Sequence, residues 1–188
     1  KTIDGKSSDR ALHTLIFDDP ECRPFYYKNG KSFKDYHKEG EIFWHKYVTY
    51  TEGMSDYWDY SFFNVSVIRY ADVLLLYAEC LNDKGETTEA INIINKVRAR
   101  VNVPALPLTM SKAEVLKHLQ DKERPCELAL EGSRWYDLVR WGIVEETLKA
   151  HNKPFVENYV DTKHQLFPIP HSEFLLNPDW EQNPNYSK

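Results

Sequence analysis

The stretch Glu127-Leu-Ala-Leu-Glu131-Gly132-Ser133-Arg134-Trp135-Tyr136-Asp137-Leu138-Val139-Arg140-Trp141-Gly142 constrains this chain more than any other. It sets two Trp, two Arg and three acids around an internal glycine. Read as helix, Arg134 stands three residues from both Glu131 and Asp137, and Arg140 stands three beyond Asp137. Residues at that spacing are neighbours on one helix face, so a ladder of acid–guanidinium pairs is expected. Trp135, Leu138 and Val139 fall on a second face and bury apolar surface. Gly132 is expected to break the helix that precedes the ladder.

Upstream the apolar residues keep a helical period. Ala71, Leu74, Leu75, Ala78 and Leu81 follow i, i+3, i+4, i+7, and Val73, Leu76, Tyr77 and Cys80 fill the other side. A helix apolar on nearly all faces is expected to be buried. Gly85 stops it and Thr87 or Thr88 caps the next helix, whose stripe is Ala90, Ile91, Ile94, Val97 and Val101. Pro104 and Pro107 end that one. Ser111 with Glu114 forms a capping box opening a third helix, through about Glu131. Pro125 inside it removes a backbone donor and predicts a kink near Leu119–Asp121. Small Ala78 and Ala90 across a short turn let two helices approach closely, as in a tetratricopeptide hairpin.

These motifs together resemble the C-terminal part of the SusD/RagB family, surface glycan-binding lipoproteins of Bacteroidetes. Glu123-Arg124-Pro125-Cys126-Glu127 extends the family signature on its N-terminal side, with Pro125 where a second Arg is usual. Val67-Ile-Arg69-Tyr70-Ala71-Asp72 through Glu79 resembles the family's V-x-R-Y-A-D helix. Ala90 through Arg98-Ala-Arg100 resembles its N-x-V-R-x-R helix, with weaker agreement around Asp9-Arg10. Pro168-Ile-Pro170 with Glu173, then Asn177-Pro178 and Gln182-Asn183-Pro184, resembles its closing pattern. The resemblance assigns Arg69, Arg98, Glu123, Arg124, Glu127, Glu131, Gly132, Arg134, Trp135, Asp137, Arg140 and Trp141 to a structural motif and carries no ligand role for it.

The chain has 188 residues, enough for a real core, and a net charge of -5. With no basic stripe against that acidic background, nucleic acid and anionic membrane surfaces are poor partners. The three cysteines, Cys22, Cys80 and Cys126, match no zinc or redox spacing and read as two core thiols and one loop thiol. The longest apolar run, Val73–Leu76, is too short to span a bilayer. Family members are much longer and carry a signal and a lipidated Cys, so Lys1 reads as the start of a C-terminal portion.

Aromatics are the compositional outlier: 14 of the 26 lie between Phe25 and Phe63, among polar residues in a helix-poor region. Sugar rings stack their C–H faces on such side chains while their hydroxyls seek polar partners. Trp44, Tyr57, Trp58, Asp59 and Tyr60 are the candidate glycan contacts. The competing reading is that irregular segments need bulky side chains to make any core. Asp18-Asp19-Pro20-Glu21 offers oxygen ligands for Ca²⁺, but a solvated acidic turn is the favoured reading. No carboxylate pair stands in a recognisable hydrolase context, and there is no H-E-x-x-H, G-x-S-x-G or phosphate loop. No cofactor follows from the residues.

The expected fold is mainly α: tetratricopeptide-like helix hairpins, in a SusD-like α–α superhelix, with irregular aromatic-rich segments. Residues 1–66 are the aromatic-rich segment, 67–142 the hairpins (roughly 67–102 and 111–142), and 143–188 an extended tail with a helical turn near Ser172–Leu176. Ser7–Phe17 is expected to hold a short helix and Ile42–Tyr50 an extended segment. The tail is expected to pack back through Phe167, Ile169, Trp180 and Tyr186. The resemblance implies a non-catalytic outer-membrane lipoprotein that captures oligosaccharide for a SusC-like TonB-dependent transporter. The alternative is a tetratricopeptide-type protein-interaction module without glycan specificity of its own.

Overall fold

Ala71, Leu75, Ala78 and Leu81 share one helical stripe, and the computed structural model packs that stripe against the next helix. The structure describes residues 5–19, 22, 33–35, 37–47 and 66–187. Among them it is mainly helical, in two compact units, Lys1–Arg134 and Trp135–Lys188.

In the first unit Ser8 caps α1 (Asp9–Thr14), which runs straight into β1 (Leu15–Ile16). β1 pairs antiparallel with β2 (Phe43–Trp44), Leu15 opposite Trp44 and Ile16 opposite Phe43. The core is the hairpin of α2 (Tyr70–Asp83) and α3 (Thr87–Ala99). Leu75, Ala78, Ala90, Ile91 and Ile94 are completely buried in it, joined by Val115 and Leu119 from the following helix. Gly85, at φ +89, closes α2: Glu86 N–H reaches Leu81 O at 2.9 Å and Gly85 N–H reaches Asn82 O at 3.1 Å. This paired closure satisfies carbonyls the helix end leaves open, and the positive φ it needs favours glycine.

Three expectations for this hairpin are corrected. Residue 67 is not its start, since Arg69 is extended and α2 begins at Tyr70. Neither Thr87 nor Thr88 caps α3; Glu86 is its N-cap and makes no side-chain cap bond. Nor is α2 buried all round: its covered stripe is Ala71, Leu75, Ala78 and Leu81, against α3 and the helix that follows it. Val73, Leu76, Tyr77 and Cys80 on its reverse side are exposed, Tyr77 by 51%.

The capping box forms as expected, Ser111 accepting from Glu114 N–H while Glu114 reaches back to Ser111. It opens α4 (Lys112–His118), which continues through a π-helical turn, Leu119–Glu123, into α5 (Arg124–Glu127). The π turn, in which Arg124 N–H bonds Leu119 O, sits where Pro125 predicted a kink. In that register the missing N–H of Pro125 would have served the carbonyl of Gln120. Arg134 Nη1 donates to that carbonyl at 2.8 Å. The helical run ends at Glu127, short of the expected Glu131, and residues 128–133 form a turn with Leu130 at φ +65 and Gly132 at φ +78.

In the second unit α6 (Arg134–Trp141) packs on α7 (Val144–Ala150) through Leu138, Val144 and Leu148, with Trp135, Val139 and Tyr159 around them. α7 breaks the expected extended tail. Beyond it lie α8 (Asp161–His164) and α9 (His171–Leu176), the latter over the expected helical turn. In Pro168-Ile169-Pro170 the one backbone donor is Ile169 N–H, because proline has none. Gln182 grips it, accepting from Ile169 N–H at 2.8 Å and donating to Ile169 O at 2.9 Å, while Asn183 Nδ2 donates to Phe167 O at 2.6 Å. The tail is thus held by its amides, not by all the side chains expected: Phe167 is 68% and Trp180 48% exposed, and Phe174 is the buried aromatic. The cysteines also depart from expectation, with Cys22 buried and Cys80 and Cys126 both exposed on helices.

Candidate functional site: a buried ion-pair seam and an exposed tryptophan

Glu123 and Glu127 lie one turn apart on the same edge of the α4–α5 run, and Glu131 follows in the turn beyond it. Like charges at that spacing repel, and burying them is unfavourable without cations. The fold supplies the cations from four other segments. Arg10 of α1 bridges the first two acids, Nη2 to Glu123 at 2.6 Å and Nε to Glu127 at 2.9 Å. Arg69 bridges the second and third, Nη1 to Glu127 at 3.2 Å and Nε to Glu131 at 2.8 Å. Arg98 meets Glu123 at 2.6 Å, Arg100 meets Glu127 at 2.5 Å, and Lys46 pairs with Glu131. His118 Nε2 adds a 2.9 Å contact to Glu123. Beside the seam, Arg124 pairs with Asp72 of α2 at 2.8 Å.

The electrostatics follow from these contacts. Burial pushes the Glu123 carboxyl upward, but His118, Arg10 and Arg98 outweigh it and hold the pKa at about 2. Burial and then the bonds from Arg69 and Lys46 act in the same opposing way on Glu131, with a net lowering. Arg69 Nη2 and Lys46 Nζ also take the carbonyls of Glu127 and Ala129, at 2.9 and 3.0 Å. Cations at the end of a helix complement its dipole as well as its open carbonyls. A carboxylate committed to two or three cations is a poor proton donor or base, so the seam's chemistry is cohesion.

The structure therefore brings together Arg69, Arg98, Glu123, Glu127 and Glu131, with Arg124 alongside. The expected ladder forms in part: Asp137 meets Arg140 at 3.0 Å, whereas Glu131 turns to Arg69 and Lys46 because the helix has already ended. Gly132 lies in the turn, and Arg134 caps Gln120. Trp135 is half-buried, edge-on to Tyr159, and Trp141 lies under the Arg140 guanidinium at 4.4 Å. Lys46 and His118 carried no sequence signal; Arg10 and Arg100 did, inside matched motifs.

Of the candidate glycan contacts, Tyr57, Trp58, Asp59 and Tyr60 lie outside the described residues. Trp44 is described, on β2, and is 53% exposed. Its neighbour Phe43 packs with His37 and Phe33, ring centroids 4.4 and 6.2 Å away, and its other neighbour His45 donates its backbone N–H to Thr14 O at 2.9 Å. The indole thus stands on a fixed backbone with much of its surface in water. Asp18, considered for Ca²⁺, pairs with Lys34 at 3.1 Å.

The sequence model of the SusD family matches residues 24–186. The chain belongs to the SusD family. Among its relatives, SusD-like protein P38 of Formosa agariphila is 37% identical over 130 residues, which is 65% of this chain and 25% of that protein. SusD-like protein P2 of the same organism is 31% identical over 131 residues, 65% and 26%. A SusD superfamily protein from Bacteroides vulgatus, solved by crystallography, superposes with a TM-score of 0.77 at 29% identity, over 99% of this chain and 41% of its own. A SusD homolog from Bacteroides thetaiotaomicron gives 0.53 at 35% identity, over 63% and 26%. This SusD-family chain thus spans about a quarter of the length of the curated relatives it matches.

Proposed function

We propose that this chain is part of a non-catalytic, cell-surface glycan-binding protein that captures oligosaccharide for uptake through a SusC-like TonB-dependent transporter. Family membership supports the nutrient-binding role and, with it, a lipid-anchored outer-membrane location in a Bacteroidetes bacterium. The observation that carries the glycan reading is Trp44: a large, half-exposed aromatic face on backbone held from both sides. An indole so placed stacks on the apolar face of a pyranose without first having to be ordered. Tyr57, Trp58, Asp59 and Tyr60 extend the proposed contact set.

Affinity electrophoresis of the full-length protein through gels containing starch, xylan, laminarin or pectin tests this. Retention on at least one polysaccharide is expected, reduced by Trp44→Ala and by Trp58→Ala with the fold intact. Release of reducing sugar, abolished by replacing one particular acid, would overturn the non-catalytic reading.

One observation favours a second reading, a protein-interaction module. The reverse face of α2 presents Tyr70, Val73, Leu76 and Tyr77 to solvent at helix-packing spacing. Co-purification with a transporter and no retention on any polysaccharide would favour it.

A further inference from the structure

Trp44 sits on a strand of two residues, and so short a ladder does not fix a strand by itself. Three residues later the chain takes an uncommon path: Tyr47 has φ +67, a left-handed conformation that a bulky aromatic rarely adopts. Between them lies Lys46. Its ammonium pairs with the Glu131 carboxylate, donates to Ala129 O at 3.0 Å and approaches Glu127 O at 3.5 Å. The receiving turn is strained too, with Leu130 at φ +65. Arg69 Nε holds Glu131 rigid from the other side, at 2.9 and 2.8 Å from its two oxygens. A left-handed non-glycine residue on each side of one charged contact persists only where surrounding bonds over-determine the backbone.

We infer that Lys46 is a positioning residue for the Trp44 ligand platform, tethering β2 to the ion-pair seam through Glu131 and the Ala129 carbonyl. The inference rests on the glycan reading of Trp44 given above. It assigns the seam a task besides cohesion, because Glu131 fixes where the indole stands relative to the helices. The His45 side chain supports the same placement from α1, its Nδ1 lying 2.7 Å from Leu12 O. Lys46 reaches across 85 residues of sequence to do this.

The test compares Lys46→Met, Lys46→Arg and Trp44→Ala in the full-length protein. Each is run through the same polysaccharide gels and through amide hydrogen exchange. Lys46→Met keeps the aliphatic stem and removes the charge. It is expected to weaken retention on the binding polysaccharide at least tenfold and to speed exchange of the His45 and Lys46 amides at least tenfold. The amides of α2 and α3 are expected to stay unchanged. Lys46→Arg, which restores a cation of similar reach, is expected to recover most of the retention. Retention unchanged in Lys46→Met but lost in Trp44→Ala overturns the tether and leaves the platform standing. Retention unchanged in Trp44→Ala, or absent for the unmodified protein on all four polysaccharides, overturns the platform and the tether with it. Faster exchange throughout α2 and α3 in Lys46→Met also overturns the inference, since it marks a general stability role.

Discussion

The two units hold themselves together by different means. In the first, the α2–α3 hairpin buries an apolar core from three helices, and a second seam of three acids and five cations runs beside it. In the second, three buried aliphatic residues, Leu138, Val144 and Leu148, form the core, and much of the remaining order comes from side-chain amides gripping backbone. Apolar burial gives stability in proportion to area, whereas a buried charge seam adds little net stability but makes a missing partner severe. The first unit should therefore be stable and intolerant of single changes, and the second softer and more forgiving.

The sharpest way to break that contrast is Glu123→Ala, which leaves Arg10, Arg98 and His118 facing an empty place. A loss of about 3–5 kcal/mol is expected in urea unfolding followed by a probe in the first unit. A loss below about 1 kcal/mol would remove the seam from the account. Acid should act on the same residue. Its folded pKa of about 2 lies below the reference value of 4.5, so its contribution is full above about pH 4.5 and fades as the pH falls toward 2. That gap corresponds to about 3 kcal/mol at neutral pH. Unfolding measured at pH 7 and pH 3 should show the first unit losing most of it, with Glu123→Gln abolishing most of the difference.

Two smaller effects probe the second unit. Leu148→Ala should cost about 2 kcal/mol, the low end for a buried leucine because the small cluster around it can close up. Hydrogen exchange should show the change in α7 and leave α3 untouched. Gln182→Ala should cost about 1 kcal/mol, with faster exchange confined to Ile169 and its neighbours. Equal sensitivity of α3 and α7 amides to these two changes would show that the units do not differ as described.

Local patterns were legible in the sequence wherever a neighbour along the chain decides the structure. The period of Ala90, Ile91, Ile94 and Val97, the Ser111–Glu114 box, the glycine stop at Gly85 and the irregularity ahead of Pro125 all depend on residues a few positions apart. What was hidden depends on partners far away. Val73 and Tyr77 read as core because their own helix is apolar, yet the stripe they occupy faces solvent. Glu131 read as a rung of a helical ladder because nothing local showed the helix ending at Glu127. α7 opens with Val144-Glu145-Glu146 and has only two buried residues, too few to print a period. Within the site, the family motifs named the acids and all four of their arginines, Arg10 through the weaker match. Lys46 was invisible because its partner lies 85 residues downstream. The candidate glycan contacts stood out only as unusual composition, and Trp44 alone among them falls on described structure.

The wide sequence separations in the seam also bear on the order in which the chain can be made. Arg10 waits for an acid 113 residues further on, and Lys46 for one 85 residues further on. During synthesis the N-terminal cations emerge first, at roughly 5–20 residues per second. They therefore spend several seconds outside the ribosome before Glu123, Glu127 and Glu131 follow. The hairpin of α2 and α3, whose contacts are local, is expected to form in that interval and the seam to close last, because its loops are the longest. A nascent chain from which Glu123 has not yet emerged is expected to carry that hairpin with Arg69, Arg98 and Arg100 still open to water.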